Sequence, residues 1–187
     1  MLSMLNIKLS FKIIIFGFIF TFFSSFGQSF FIGLFNSNIR FDLNITHGQF
    51  GTIYALATLA SSFTLIWVGK KIDDLRLINF SLFVIFLLFF SSIFFSFVSS
   101  IYLLFIGIFL LRLSGQGLMS HTATTSVSRY FNLNRGKALS VTWLGLSAAE
   151  FIMPITVVFF LSIYSWRNIW ISIALLVILF LPVLSFL

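Results

Sequence analysis

Long apolar runs alternate with short polar connections along this chain, and each run is about the 20 residues that a helix needs to cross a bilayer. The pattern predicts six spans, at about 11–35, 48–68, 77–98, 101–125, 138–163 and 167–187. The connections between them, 36–47, 69–76, 99–100, 126–137 and 164–166, are short. No linker, low-complexity tract or second domain interrupts them. The expected fold class is an all-α membrane protein forming one six-helix domain over residues 1–187. Lys8 and Lys12 precede an apolar core as in a secretory signal, but no A-x-A-like cleavage site follows and the run continues to Phe35. An uncleaved first span is expected.

The spans differ in kind. Spans three and six are apolar apart from scattered serine and asparagine. The other four carry polar or small residues at steps of three or four, which places them on one helical face. In span one these are Gly17, Thr21, Ser24 and Gln28; in span two, Gly51, Tyr54, Thr58 and Ser61. In span four they are Arg112, Gln116, Ser120 and Thr124, and in span five Trp143, Ser147, Glu150 and Pro154. Polar groups facing lipid are costly, so these faces should meet other helices or water. The expectation is four helices around something polar and two outside, although the small residues alone also suit helix–helix packing.

Composition turns the pattern into a class. With 60% hydrophobic and 8% charged residues there is too little polar surface to cover a soluble domain. The lipid bilayer is the first expected partner, and a bacterial inner (plasma) membrane the expected location. The formal charge of +7 would suggest nucleic acid in a soluble protein. Here it reports orientation, and no nucleic-acid partner is expected. Threaded alternately, Lys8, Lys12, Lys70, Lys71, Arg76, Arg129, Arg135 and Lys137 fall on one side, Arg40 and Arg167 on the other, and Arg112 inside a span. That bias predicts a cytoplasmic amino terminus. The absence of cysteine excludes disulfides, thiol catalysis and cysteine metal sites. The 29 phenylalanines are spread without regular spacing and read as lipid-facing filler.

Two ionisable residues need more than filler. Arg112 lies about eleven residues into span four and Glu150 about thirteen into span five, counted from opposite sides. At roughly 1.5 Å per residue both approach the bilayer midplane. A lone charge there costs around 2.5–3.5 kcal/mol or more, so such residues pair or line a cavity. Either they face a shared cavity, with Arg112 contacting an anionic substrate and Glu150 balancing or relaying charge, or they form a static ion pair that fixes packing. Gln28, Gln116, Tyr54 and Thr58 are further pathway candidates. His47 and His121 sit on different elements with no second ligand at i+3 or i+4, so no metal site and no cofactor are expected. His47 reads as a solvated loop residue. His121 reads as packed and hydrogen-bonded, with proton movement as the alternative.

Several segments carry a family pattern. Gly69-Lys70-Lys71-Ile72-Asp73-Asp74-Leu75-Arg76 resembles the G-x-x-x-D loop with basic residues between spans two and three of the major facilitator superfamily. Asp74 stands where that family usually has a basic residue. Arg112-Leu113-Ser114-Gly115-Gln116-Gly117 resembles its span-four arginine with spaced glycines. Arg129-Tyr130-Phe131, leading to Arg135-Gly136-Lys137-Ala138, resembles its inner loop between spans four and five. Gly145 to Pro154 resembles its span-five pattern, and Ser165-Trp166-Arg167 the start of span six. The matches run in order from Gly69 to Arg167. Within the family the chain most resembles the monocarboxylate and oxalate–formate branch.

The resemblance implies alternating-access transport of a small solute, an organic anion such as a monocarboxylate, with a coupling proton as a further partner. It implies a gating role for Gly69, Asp73 and Arg76, and inner-loop roles for Arg129 and Arg135. It also implies that the chain is the amino-terminal half of a secondary transporter, whose two halves surround one cavity. The missing partner is then a carboxy-terminal half or a second copy, and the alternative is an inactive truncated remnant. An intramembrane serine protease is the enzymatic alternative, because Gly145-Leu146-Ser147-Ala148 resembles a G-x-S segment. No histidine follows Ser147, and no enzyme is expected.

Overall fold

In lipid an apolar run must satisfy its own backbone, which a helix does and an open strand does not. The computed structural model describes the backbone of residues 2–185 and the side chains of residues 11–179. Span one is α1 (Leu2–Ser24), a 3₁₀ turn (Ser25–Gly27) and α2 (Ser29–Gly33). After it come α3 (Asn36–Leu43), α4 (His47–Asp74) and α5 (Leu77–Ser96). Span four joins α6 (Ile101–Leu111), a π-helical segment (Arg112–Met119) and α7 (Ser120–Tyr130). Last are α8 (Arg135–Leu161) and α9 (Trp166–Ser185). Among the described residues five stretches are long and apolar enough to cross a membrane: Phe11–Gly33, His47–Asp74, Leu77–Ser96, Ile101–Tyr130 and Arg135–Leu161. The described apolar part of α9, Trp166–Leu179, is shorter. Lys8 and the side chains of span six beyond residue 179 lie outside the described residues.

The expected connections are shorter than hydropathy suggests. Residues 36–47 contain α3, which ends at Asn44 in the left-handed conformation (φ 52°, ψ 47°) that asparagine tolerates. Thr46 then caps α4: its Oγ1 accepts from the Gln49 amide at 3.2 Å, and the Gln49 side chain accepts from the Thr46 amide at 2.8 Å. Helix α4 runs on to Asp74, so Gly69 is a helical residue and most of the connection expected at 69–76 is helix. Likewise α7 and α8 leave only residues 131–134 between them. Hydropathy marks where apolar character stops. Lysine and arginine continue a helix readily, so its end lies further on.

Two sequence expectations about packing are corrected. Phenylalanine is not only filler: Phe20, Phe26, Phe31, Phe35, Phe80 and Phe95 are fully buried. The Trp170 ring lies 5.6, 5.3 and 4.8 Å from the rings of Phe31, Phe35 and Phe95, which locks α2 to α5 and α9. Nor are spans three and six the least covered, since α5 and α9 pack on each other. The broadly uncovered helices are α4 and α8, of whose spans only 17% is buried, against 39% for α5.

Candidate functional site

The site begins where two spans depart from regular α-helix at the same place. Span one breaks at Gln28, whose backbone is extended (φ −80°, ψ 155°) between the 3₁₀ turn and α2. Facing that break, span four widens into its π-helical segment. The two backbones touch through Gly27 and Gly115. A Cβ on Gly115 would lie 2.6 Å from the Gly27 nitrogen, and one on Gly27 would strike the Leu111 carbonyl and the Gln116 amide. Only glycine permits this approach. The π segment also alters the register assumed for the span-four stripe, because it adds a residue to a turn.

Arg112 opens the π segment and is 7% exposed. Its Nη1 donates to the Gly27 carbonyl and to Ser29 Oγ, each at 3.2 Å. The Tyr54 hydroxyl donates to the same Ser29 oxygen at 3.0 Å, and the guanidinium carbon lies 5.3 Å from the Tyr54 ring centroid. The Gly27 carbonyl and Ser29 are available to Arg112 because span one breaks between them. Arg112 Nε is buried without a hydrogen-bond partner, and so is Thr58 Oγ1. A cavity of about 190 Å³ is lined by Ser61, Ser62, Leu65, Arg112, Gln116 and Gly117. The pathway candidates Arg112, Gln116, Tyr54 and Thr58, with the Gln28 break, thus belong to one neighbourhood. Ser29, missed in the sequence, joins them; only the interruption of span one could have signalled it.

Glu150 does not. It is exposed on α8 with Trp143 and Ser147, on the uncovered face. It forms no ion pair with Arg112; among the described residues the ion pairs are Arg129–Asp73 and Arg167–Asp42. Pro154 lacks the amide that would bond the Glu150 carbonyl, so that carbonyl is freed beside the carboxylate. The face of α8 that does pack carries Ala138, Thr142, Gly145 and Ala149. There Thr21 Oγ1 of α1 donates to the Thr142 carbonyl at 2.5 Å, and a Cβ on Gly145 would strike the Phe18 carbonyl.

At one end of the bundle, α4 meets α7. Arg129 pairs with Asp73 and donates from Nη1 to the Ile72 carbonyl at 3.2 Å. His121 Nε2 bonds the Gly69 carbonyl at 3.1 Å. A cavity of about 340 Å³ between these helices is lined in part by Lys70, Asp73, His121 and Thr125. Gly69, Asp73 and Arg129 therefore form one junction. Arg76 stands apart, exposed at the residue before α5 and making no capping hydrogen bond through its side chain, and Arg135 Nε bonds the Phe131 carbonyl at 3.3 Å. At the other end, Asp42 accepts from Trp166 Nε1 at 2.9 Å and pairs with Arg167, whose Nη2 donates to the Val98 carbonyl at 2.9 Å. The indole and the guanidinium hold the Asp42 carboxyl below its ordinary value, against a smaller opposing effect of burial. This clasp was not foreseen, although Asp42 is the only acid on that side of the threading.

The family model described as Major Facilitator Superfamily matches residues 17–187. No curated protein and no solved structure matches the chain.

Proposed function

Because the chain belongs to the major facilitator superfamily, an integral membrane family of transporters rather than enzymes, we propose that it forms the amino-terminal half of a secondary carrier for small organic anions. In this reading it spans the membrane six times, with its amino terminus in the cytoplasm of a bacterium. Arg112 and Gln116 line the substrate pathway, with Tyr54, Thr58 and Gln28 around them. Glu150, on the uncovered face of α8, carries or balances charge for a coupling proton. The Asp73–Arg129 junction between α4 and α7 closes and opens the inner end, where the Gly69 carbonyl holds His121. The uncovered faces of α4 and α8 meet a second six-helix half, or a second copy of this chain, around one cavity.

One observation carries the anion reading. A guanidinium buried at mid-span has no carboxylate partner among the described residues, and an unpaired cation there is costly unless a ligand or water meets it. The test is lactate uptake into vesicles holding the complete gene product, its frame read beyond the codon for Leu187. Replacing Arg112 and Glu150 together by glutamine should reduce uptake to background. Uptake that survives this double change would overturn the reading.

A further inference from the structure

Resting on the anion reading above, we infer that Arg112 receives its ligand through one particular edge, and that this edge selects a planar anion with two oxygens side by side. A guanidinium has five N–H donors, two on each Nη and one on Nε. Nη1 makes two hydrogen bonds, to the Gly27 carbonyl and to Ser29 Oγ. Its donors are therefore used. Nε has no partner although it is buried, and no hydrogen bond of Nη2 occurs among the described residues. Two of the three unused donors, Nε–H and one Nη2–H, form the Nε–Nη2 edge, and these parallel N–H groups match the two oxygens of a carboxylate.

The neighbours explain why this edge stays free. Ser29 Oγ accepts both from Nη1 and from the Tyr54 hydroxyl at 3.0 Å, and the Tyr54 ring lies under the guanidinium at 5.3 Å from its centroid. Ser29 and Tyr54 are thus positioning residues. They hold one edge and leave the other without a protein partner, so the guanidinium is already ordered and binding costs less. The side chain also lines the 190 Å³ cavity with Ser61, Ser62 and Gln116, whose hydroxyl and amide groups can meet the rest of a polar anion. A spherical halide carries the same charge but cannot accept two parallel hydrogen bonds through two oxygens. Geometry, not charge alone, then sets the preference.

The test is thermal unfolding of the purified complete gene product in detergent, titrated with sodium acetate and, at matched ionic strength, with sodium chloride. Acetate should raise the unfolding midpoint at concentrations about tenfold below those needed for chloride, the worth of one extra charge-assisted hydrogen bond. Arg112→Lys should erase that preference, because an ammonium is a point donor. Ser29→Ala, a change at an exposed residue that leaves the charge in place, should weaken acetate several-fold while chloride stays unchanged. Equal stabilisation by acetate and chloride in the unaltered chain would overturn the edge and leave the anion pathway standing. Stabilisation by neither anion would overturn both, leaving water as the occupant of the free edge.

Discussion

Arginine at four positions shows how surroundings decide what a charge does. Arg129 and Asp73 are 52% and 61% exposed as side chains, so their pair is screened and adds little to stability. Its consequence lies in which helices it joins. Arg135 only meets the end of its neighbouring helix. Arg112 is withdrawn from water and keeps an unused edge. Arg167 lies between these cases, with Trp166 and Asp42 around it. The native state holds the Asp42 carboxyl below its ordinary value, chiefly through Trp166 and then Arg167. A depressed carboxyl contributes stability that is complete above its unfolded pKa and is lost as pH falls through the folded one. Thermal unfolding in detergent should therefore weaken as pH falls through the acidic range, and Asp42→Asn should remove that part of the slope. A slope unchanged in the variant would show that other groups set it. The effect is modest, because the paired side chains are 34% and 33% exposed.

At the scale of elements, close backbone approach decides which helices can pack. The α1–α8 seam runs through Gly17, Thr21, Thr142 and Gly145, and the junction of spans one and four runs through Gly27 and Gly115. Backbone cannot swing aside as a side chain does, so an added methyl must push the spans apart. Gly115→Ala should lower stability by about 1–3 kcal/mol, as overpacking does, and should disturb Arg112 through the adjoining π segment. Gly33→Ala is the control: nothing lies within 4 Å of a Cβ there, and a change within about 0.5 kcal/mol is expected. Thermal unfolding of both variants under the same conditions checks the pair. Similar midpoints would mean that the Gly27–Gly115 contact has slack.

At the scale of the whole molecule, what matters is which surfaces meet water, lipid or protein. The exposed face of α8 mixes Ser147 and Glu150 with Trp143 and Phe151, whereas α5 turns Phe83, Phe86 and Phe90 outward. The first pattern fits a boundary shared by a second half and an aqueous pathway, and the second fits lipid. Because the sequence has no cysteine, single cysteines report this directly. In membranes carrying the complete protein, Ser147→Cys should react with a water-soluble maleimide about tenfold faster than Phe86→Cys, since the thiolate forms only where water solvates it. Equal rates would place both faces in the same medium.

Amino-acid order alone determined the membrane class and the family. Twenty-residue apolar runs admit little but helices in lipid, and the ordered motifs from Gly69 to Arg167 are local. The candidate site was legible in part: the buried charge of Arg112 and the polar stripe of span two follow from identity and spacing. The break at Gln28 and the π segment were not, because they arise where Gly27 and Gly115 bring two distant backbones together, and helical periodicity cannot register that contact. The same cause separates Arg112 from Glu150. Equal depth on consecutive helices allows a pair, but the rotation of each helix decides whether one forms. Here the small seam Ala138–Thr142–Gly145–Ala149 turns α8 toward α1 and leaves Glu150 on the open side. Tertiary structure alone could decide this, because a seam is chosen by the fit of two surfaces and one sequence segment carries only its own.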